Sequence, residues 1–176
     1  MVALAEIGDK TQLLALLLTA RFRAPWPIVL GIFVATVANH TFAGAVGVWL
    51  MSLVGPRNMR WILGLSFIAM ALWTLIPDEA PEEKAAKSRY GVFLTTVIAF
   101  FLVEMGDKTQ IATVALAAQF HDLLLVVLGT TVGMLLANVP VVFAGDVLLR
   151  RVPLKVVRVV AALSFVALGA YVLIAG

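Results

Sequence analysis

Only one stretch of this chain stays polar for more than a few residues: Pro77–Arg89, with four acidic and three basic side chains. The remainder falls into six apolar segments, roughly Met1–Ala20, Trp26–Leu53, Met59–Ile76, Tyr90–Ala118, Leu123–Leu149 and Leu154–Ala175. Crossing the hydrocarbon core of a bilayer takes about 20 helical residues at about 1.5 Å each, so each segment has the length of a membrane helix. A closed barrel is the only other spanning solution. Its strands would alternate apolar and polar residues in segments of about ten, a pattern that does not occur here. Pro25 and Pro27, Gly55-Pro56, Pro77 and Pro81, and Pro153 punctuate the segments as helix breakers should.

Composition points the same way. With 62% hydrophobic and 13% charged residues and a mean hydropathy of +1.06, the chain is neither disordered nor an ordinary soluble domain, which carries about 25% charged residues. Despite a sequence pI near 9.6, a net charge of only +3 gives no nucleic-acid footprint. With no cysteine, disulfides and thiolate metal sites are excluded. The first segment lacks a basic start and is interrupted by Glu6 and Asp9, so it does not read as a cleavable signal.

The chain repeats itself. Glu6-Ile7-Gly8-Asp9-Lys10-Thr11-Gln12 returns 98 residues later as Glu104-Met105-Gly106-Asp107-Lys108-Thr109-Gln110, with six of seven residues identical. The same shift carries Phe22 onto Phe120, Gly31 onto Gly129, and Leu65-Ser66-Phe67 onto Leu163-Ser164-Phe165. Ala38-Asn39 meets Ala137-Asn138 one residue further on. The expected fold is therefore all-α: a polytopic membrane protein of six transmembrane helices. Residues 1–76 form a first three-helix repeat, 77–89 a charged linker, and 90–176 a second repeat. Because each repeat has an odd number of helices, the second enters the membrane from the opposite side, as an inverted repeat.

Loop charges orient it. Arg21 and Arg23, then Lys84, Lys87 and Arg89, then Arg150, Arg151, Lys155 and Arg158 occupy loops one, three and five, against only Arg57 and Arg60 in loop two. Basic loops stay in the cytoplasm, which puts both termini outside and the linker inside. Fourteen mostly apolar residues, Tyr90–Val103, precede Glu104, but only five precede Glu6; this mismatch predicts that helix one begins upstream of Met1. The compact chain with few loops fits a bacterial cytoplasmic membrane.

Four of the ten acidic residues, Glu6, Asp9, Glu104 and Asp107, lie inside apolar segments. Each ionisable group at membrane depth costs at least about 2.5–3.5 kcal/mol on insertion scales, so packing alone would avoid them. On a continuous helix Glu6 and Asp9 share a face, as do Glu104 and Asp107. An inverted repeat would bring the two faces together near the midplane, as a ring of carboxylate oxygens suited to a hard divalent cation such as calcium or manganese. Lys10 and Lys108 follow Glu6 and Glu104 by four residues and are expected to neutralise them. Asp9 and Asp107 then leave a charge of −2, which one divalent cation balances. Protons are the natural replacement when it departs, because crowded carboxylates in a low dielectric resist staying charged. That charge balance implies exchange of one cation for about two protons.

Gly8 and Gly106 sit where a broken helix would expose further ligands. Thr11, Gln12, Thr109 and Gln110 offer additional oxygens. Asn39 and Asn138 are candidate ligands, with interhelical hydrogen bonding as an equal alternative. Ser66 and Ser164 are weaker ligand candidates that read as backbone-bonded or packing residues, and His40, whose counterpart is Val139, reads as structural or near a vestibule. Ala43 with Gly47, and Gly129 with Gly133, have the small-xxx-small spacing of helix packing. Asp146 beside Arg150 reads as a surface ion pair. The competing functions are a passive divalent-cation channel and an exporter of small organic cations. An intramembrane metalloenzyme is disfavoured, since neither H-E-x-x-H nor cysteine is present, and so the chain is not expected to be an enzyme.

Around the two motifs the sequence resembles the calcium/manganese cation-antiporter family with duplicated E-x-G-D-[KR]-[ST] motifs, which includes Golgi calcium/manganese transporters and bacterial manganese exporters. The resemblance covers nearly the whole chain. It implies export of Mn2+ or Ca2+ from the cytosol against protons, with the cation as substrate and no prosthetic group. It also implies Glu6, Asp9, Glu104 and Asp107 as cation-site residues, with Lys10, Thr11, Lys108 and Thr109 as motif partners. The partners expected are the cation, protons and the lipid bilayer, with no nucleic acid; a homo-oligomer is left open.

Overall fold

The computed structural model describes residues 1–77, 91–145 and 153–175. Most of the charged linker, with Lys84, Lys87 and Arg89, and the Asp146–Arg150 pair therefore lie outside the described residues. Within them the chain is all-helical: α1 (Val2–Glu6), α2 (Lys10–Phe22), α3 (Pro25–Val54), α4 (Pro56–Thr74), α5 (Gly91–Glu104), α6 (Lys108–Phe120), α7 (Leu123–Ala144) and α8 (Leu154–Ala175). The predicted segments one and four are thus each split in two, both times at the repeated motif. Among the described residues, three helices are long and apolar enough to cross a membrane: Pro25–Val54, Leu123–Ala144 and Leu154–Ile174. The split segments are divided into pieces too short to span alone.

Proline and glycine set the helix limits. Pro25 and Pro56 open α3 and α4, where a missing N–H costs nothing. Arg23 and His121 end α2 and α6 with positive φ, each N–H returning to a carbonyl four residues back, Thr19 and Ala117.

Helix α4 packs chiefly on α8, α3 lies against α5, α6 and α7, and α1 lies on α7. Two apolar cores result. Phe67 and Phe165, matching residues of the two copies, are fully buried in one, with Met59, Met70 and Val172. Leu14, Leu18, Ile28, Ile32 and Phe100 form the other. Gly47 lets α3 touch α6, since a Cβ there would collide with the carbonyl of Val114. Gly133 lets α7 meet Val2. Gly129 differs from the packing expectation. Among the described residues, nothing beyond its chain neighbours and its own helix backbone lies within 4 Å of where its Cβ would be. It lines instead a cavity of about 740 Å3 bounded by Met1–Ala3, Leu116, Leu125 and Leu168.

The surface is the reverse of a soluble protein's. Trp26, Phe42, Leu53, Leu72, Leu124, Leu136 and Ile174 are all more than half exposed, whereas Glu6, Asp9, Asn39, Glu104, Asp107, Lys108 and Asn138 are buried. Water does not tolerate so extended an apolar exterior on a monomer, but a lipid solvent requires one.

Gly47→Ala should therefore destabilise the fold by about 1–3 kcal/mol, as overpacking against backbone does. A lowered thermal midpoint in detergent would register it; an unchanged midpoint would mean that α3 and α6 are not in this close contact.

Candidate metal centre

Each motif breaks its helix by the same backbone path. After Glu6 the chain turns through Ile7 (φ −67°, ψ 115°) and Gly8 (φ +81°) to Asp9 (φ −82°, ψ 167°), the first flanking residue of α2. In the second copy Gly106 has φ +76° and Asp107 φ −79°, ψ 164°. Positive φ is what glycine tolerates and other residues resist. The Gly8 N–H freed by the break donates to Gln12 Oε1 at 2.7 Å, and the Gly106 N–H to Gln110 Oε1 at 2.6 Å. In this conformation the two glutamine carbonyl oxygens each close a break by accepting the freed glycine N–H.

The break also changes the ion pairing. Lys10 and Lys108 lie one turn after Glu6 and Glu104 only on a continuous helix, and the helix is not continuous. Lys10 Nζ instead lies 3.1 Å from Asp107 Oδ1, and Lys108 Nζ 3.4 Å from Asp9 Oδ1. Each lysine crosses to the other copy's aspartate. Lys108 also stands 5.9 Å above the ring of Trp73, within cation–π range. Asp9 and Asp107 make no side-chain cap on the helices that they precede.

Glu6 is fully buried and accepts hydrogen bonds from the Thr11 hydroxyl (2.6 Å) and from the Thr109 hydroxyl of the other copy. One oxygen each of Glu6, Asp9 and Asp107 lies within 4.8 Å of the others. A single ion with metal–oxygen distances of about 2.3–2.6 Å can touch oxygens spaced in this way. Glu104 is not in that group. It is held apart by Asn39 Nδ2 (3.2 Å to Oε2) and the Thr36 hydroxyl (3.5 Å to Oε1). His40 Nε2 lies 3.5 Å from Glu104 Oε1 without the alignment of a hydrogen bond.

Asn39 is occupied on both sides: Nδ2 also donates to Phe101 O (3.0 Å), and Oδ1 accepts from Gln110 Nε2 (3.0 Å). Asn138 bonds back to Met134 O at 3.1 Å. Asn39 thus makes the interhelical hydrogen bonds of the alternative reading, whereas the Asn138 amide bonds only within its own helix among the described residues. Ser66 and Ser164 bond backbone carbonyls, as expected. Thr36 and His40 were not singled out from the sequence as site residues. Their signal was present: Thr36, Asn39 and His40 fall at i, i+3 and i+4, one polar face on an otherwise apolar helix.

A lipid-facing helical body enclosing a cross-paired carboxylate cluster defines the class: an integral membrane protein built to handle a cation. Comparison with known proteins specifies it. The chain belongs to the family described as divalent cation/proton antiporter GDT1, matching it over residues 1–82 and 92–176. It is a transporter, not an enzyme. It is 52% identical over 162 residues to the "Putative manganese exporter" of Vibrio cholerae, covering 92% of this chain and 80% of that one. It is 26% identical over 186 residues to a GDT1-like protein of Synechocystis (94% and 89% covered). Against GDT1-like protein 5 of Arabidopsis thaliana it is 26% identical over 208 residues (96% and 90% covered). No solved structure matches.

The two glycines make a graded prediction. Alanine at either position is strained by the positive φ, at about 1–2 kcal/mol. At Gly8 a Cβ would also press on Leu154 Cδ2, 2.9 Å away, whereas at Gly106 it would meet nothing within 4 Å among the described residues. Gly8→Ala should lower the thermal midpoint more than Gly106→Ala, and the opposite order would contradict this packing.

Proposed function

We propose that the protein exports Mn2+ in exchange for about two protons, binding the ion between Glu6, Asp9 and Asp107, with Glu104 as a fourth carboxylate that joins during the cycle. The observation that carries this reading is the convergence of three buried carboxylates from two sequence copies inside an apolar exterior. Four carboxylates and two lysines sum to −2, so one divalent cation or two protons neutralise the same cage. The lysines' crossing between copies leaves that sum unchanged. Manganese is preferred over calcium on the strength of the Vibrio cholerae relative's name; oxygen ligands accept either.

The proposed topology is two inverted three-helix repeats, residues 1–76 and 90–176, joined by a cytoplasmic linker in a bacterial cytoplasmic membrane, with both termini outside. Each broken pair, α1 with α2 and α5 with α6, then counts as one crossing, giving six. The matching backbone at Gly8 and Gly106 and the reciprocal lysine pairs support it. Alternating access follows from rocking one repeat against the other around the shared cage. A channel would share the carboxylates but show no coupling to protons.

In proteoliposomes holding a pH-sensitive dye, a Mn2+ gradient should drive opposing proton movement that does not depend on membrane potential. Asp9→Asn and Asp107→Asn should each reduce that movement by more than the roughly 10–100-fold that outer-shell groups command. Undiminished coupling in both variants would remove the aspartates from the mechanism, and Mn2+ flux without proton movement would favour the channel.

A further inference from the structure

Asn138 is fully buried on α7, and its Oδ1 has no hydrogen-bond partner among the described residues. Its amide turns onto its own helix, 3.1 Å from Met134 O and 2.9 Å from Met134 Sδ. Buried polar atoms are almost always paired, and an unpaired one calls for an explanation. Its counterpart Asn39 supplies one. Gln110, which clasps the Gly106 N–H, donates to Asn39 Oδ1, and Asn39 donates to Glu104 Oε2. That relay ties the two sides of one helix break together and sets the position of Glu104.

The other copy contains every part of the same relay, unconnected. Gln12 clasps the Gly8 N–H, but its Nε2 donates to Ala137 O at 2.8 Å, one residue short of Asn138. Glu6 is held by Thr11 and Thr109 rather than by Asn138. Two more differences run the same way. Gly8 is covered by Leu154, while among the described residues nothing beyond its chain neighbours lies within 4 Å of the Cβ position of Gly106. Helix α7 carries Pro140 two residues after Asn138, where α3 has Thr41. A proline removes the N–H that would bond the carbonyl four residues back, which loosens α7 next to the open relay.

We propose that Gln12, Asn138 and Glu6 form a second latch, open in this conformation, that closes when the Gln110–Asn39–Glu104 latch releases, so that the two alternate during transport. Asn138 is then a positioning residue for Glu6 in the opposite-facing state and not a cation ligand. Closure needs the Gln12 amide to advance from Ala137 O to Asn138 Oδ1, while the Asn138 amide leaves Met134 for Glu6. The role assigned rests on the antiporter reading above; the conformational claim can be read without any cation.

The chain has no cysteine, so single reporters at the two breaks, Ile7→Cys or Met105→Cys, can be labelled with a maleimide in the purified full-length protein. Met105 is 48% exposed, and Met105→Cys should label faster than Ile7→Cys. Adding Asn138→Leu should raise that bias about tenfold, the size of a latch made of ordinary hydrogen bonds. It should leave Mn2+ binding in place, lower Mn2+ flux by about tenfold, in line with the bias, and keep or raise the thermal midpoint, because an unpaired buried oxygen is gone. Adding Asn39→Leu should reverse the bias. Unchanged labelling with either variant, or a shift toward Ile7 with Asn138→Leu, would overturn the latch. So would weakened Mn2+ binding by Asn138→Leu, which would mark a ligand. Absence of Mn2+-driven flux in the unsubstituted protein would refute antiport instead, with the labelling still deciding the latch.

Discussion

The structure depends on how charge is held inside a body made for lipid. Four carboxylates and two ammonium groups lie within helices whose outer faces are tryptophan, phenylalanine and leucine. They persist because each lysine reaches across to the opposite copy's aspartate. That crossing joins the two halves of the chain more specifically than apolar contact can, since lipid tails compete with apolar packing but not with an ion pair. It also keeps the aspartates converged with Glu6 despite their like charge. A buried pair is weak evidence of stability by itself; here its consequence is geometric.

The broken helices serve the same end. A continuous helix would place Lys10 beside Glu6 and close the charges on themselves. Three non-helical residues, with glycine at positive φ, turn the lysine away from its own glutamate and leave it to the other copy. The break frees a glycine N–H that hydrocarbon could not satisfy, and a glutamine one turn later takes it up. Glu-x-Gly-Asp-Lys-Thr-Gln thus works as one unit: acid, hinge, acid, counter-ion, hydroxyl and clasp.

The two motifs are near-identical in sequence yet differently engaged. Glu104 is held by an asparagine and a threonine, with a histidine beside it; Glu6 is held by two threonines. Leu154 covers one break, while among the described residues nothing covers the other. A protein with two equivalent halves around a single site is expected to rest in an asymmetric state if its work is to exchange them, and the proposed latches describe that exchange in hydrogen bonds.

The all-helical character, the sequence repeat, the breaks at Pro25 and Pro56, and the burial of the four acids were legible in the sequence because hydropathy, proline and duplicated motifs act locally or by simple periodicity. The breaks at Gly8 and Gly106 were only hinted at by the glycines. The partners of Lys10 and Lys108, the use of Gln12 and Gln110 as clasps, and the approach of Thr36 and His40 to Glu104 were not legible. The lysine pairs and the Glu104 contacts join residues about 60 to 100 positions apart, the clasps form only once the helix breaks, and one changed backbone dihedral at a glycine redirects every side chain that follows. Sequence alone determined which groups had to be buried together; only the tertiary structure decided which of them touch, because contact across two broken helices depends on angles that no local pattern encodes.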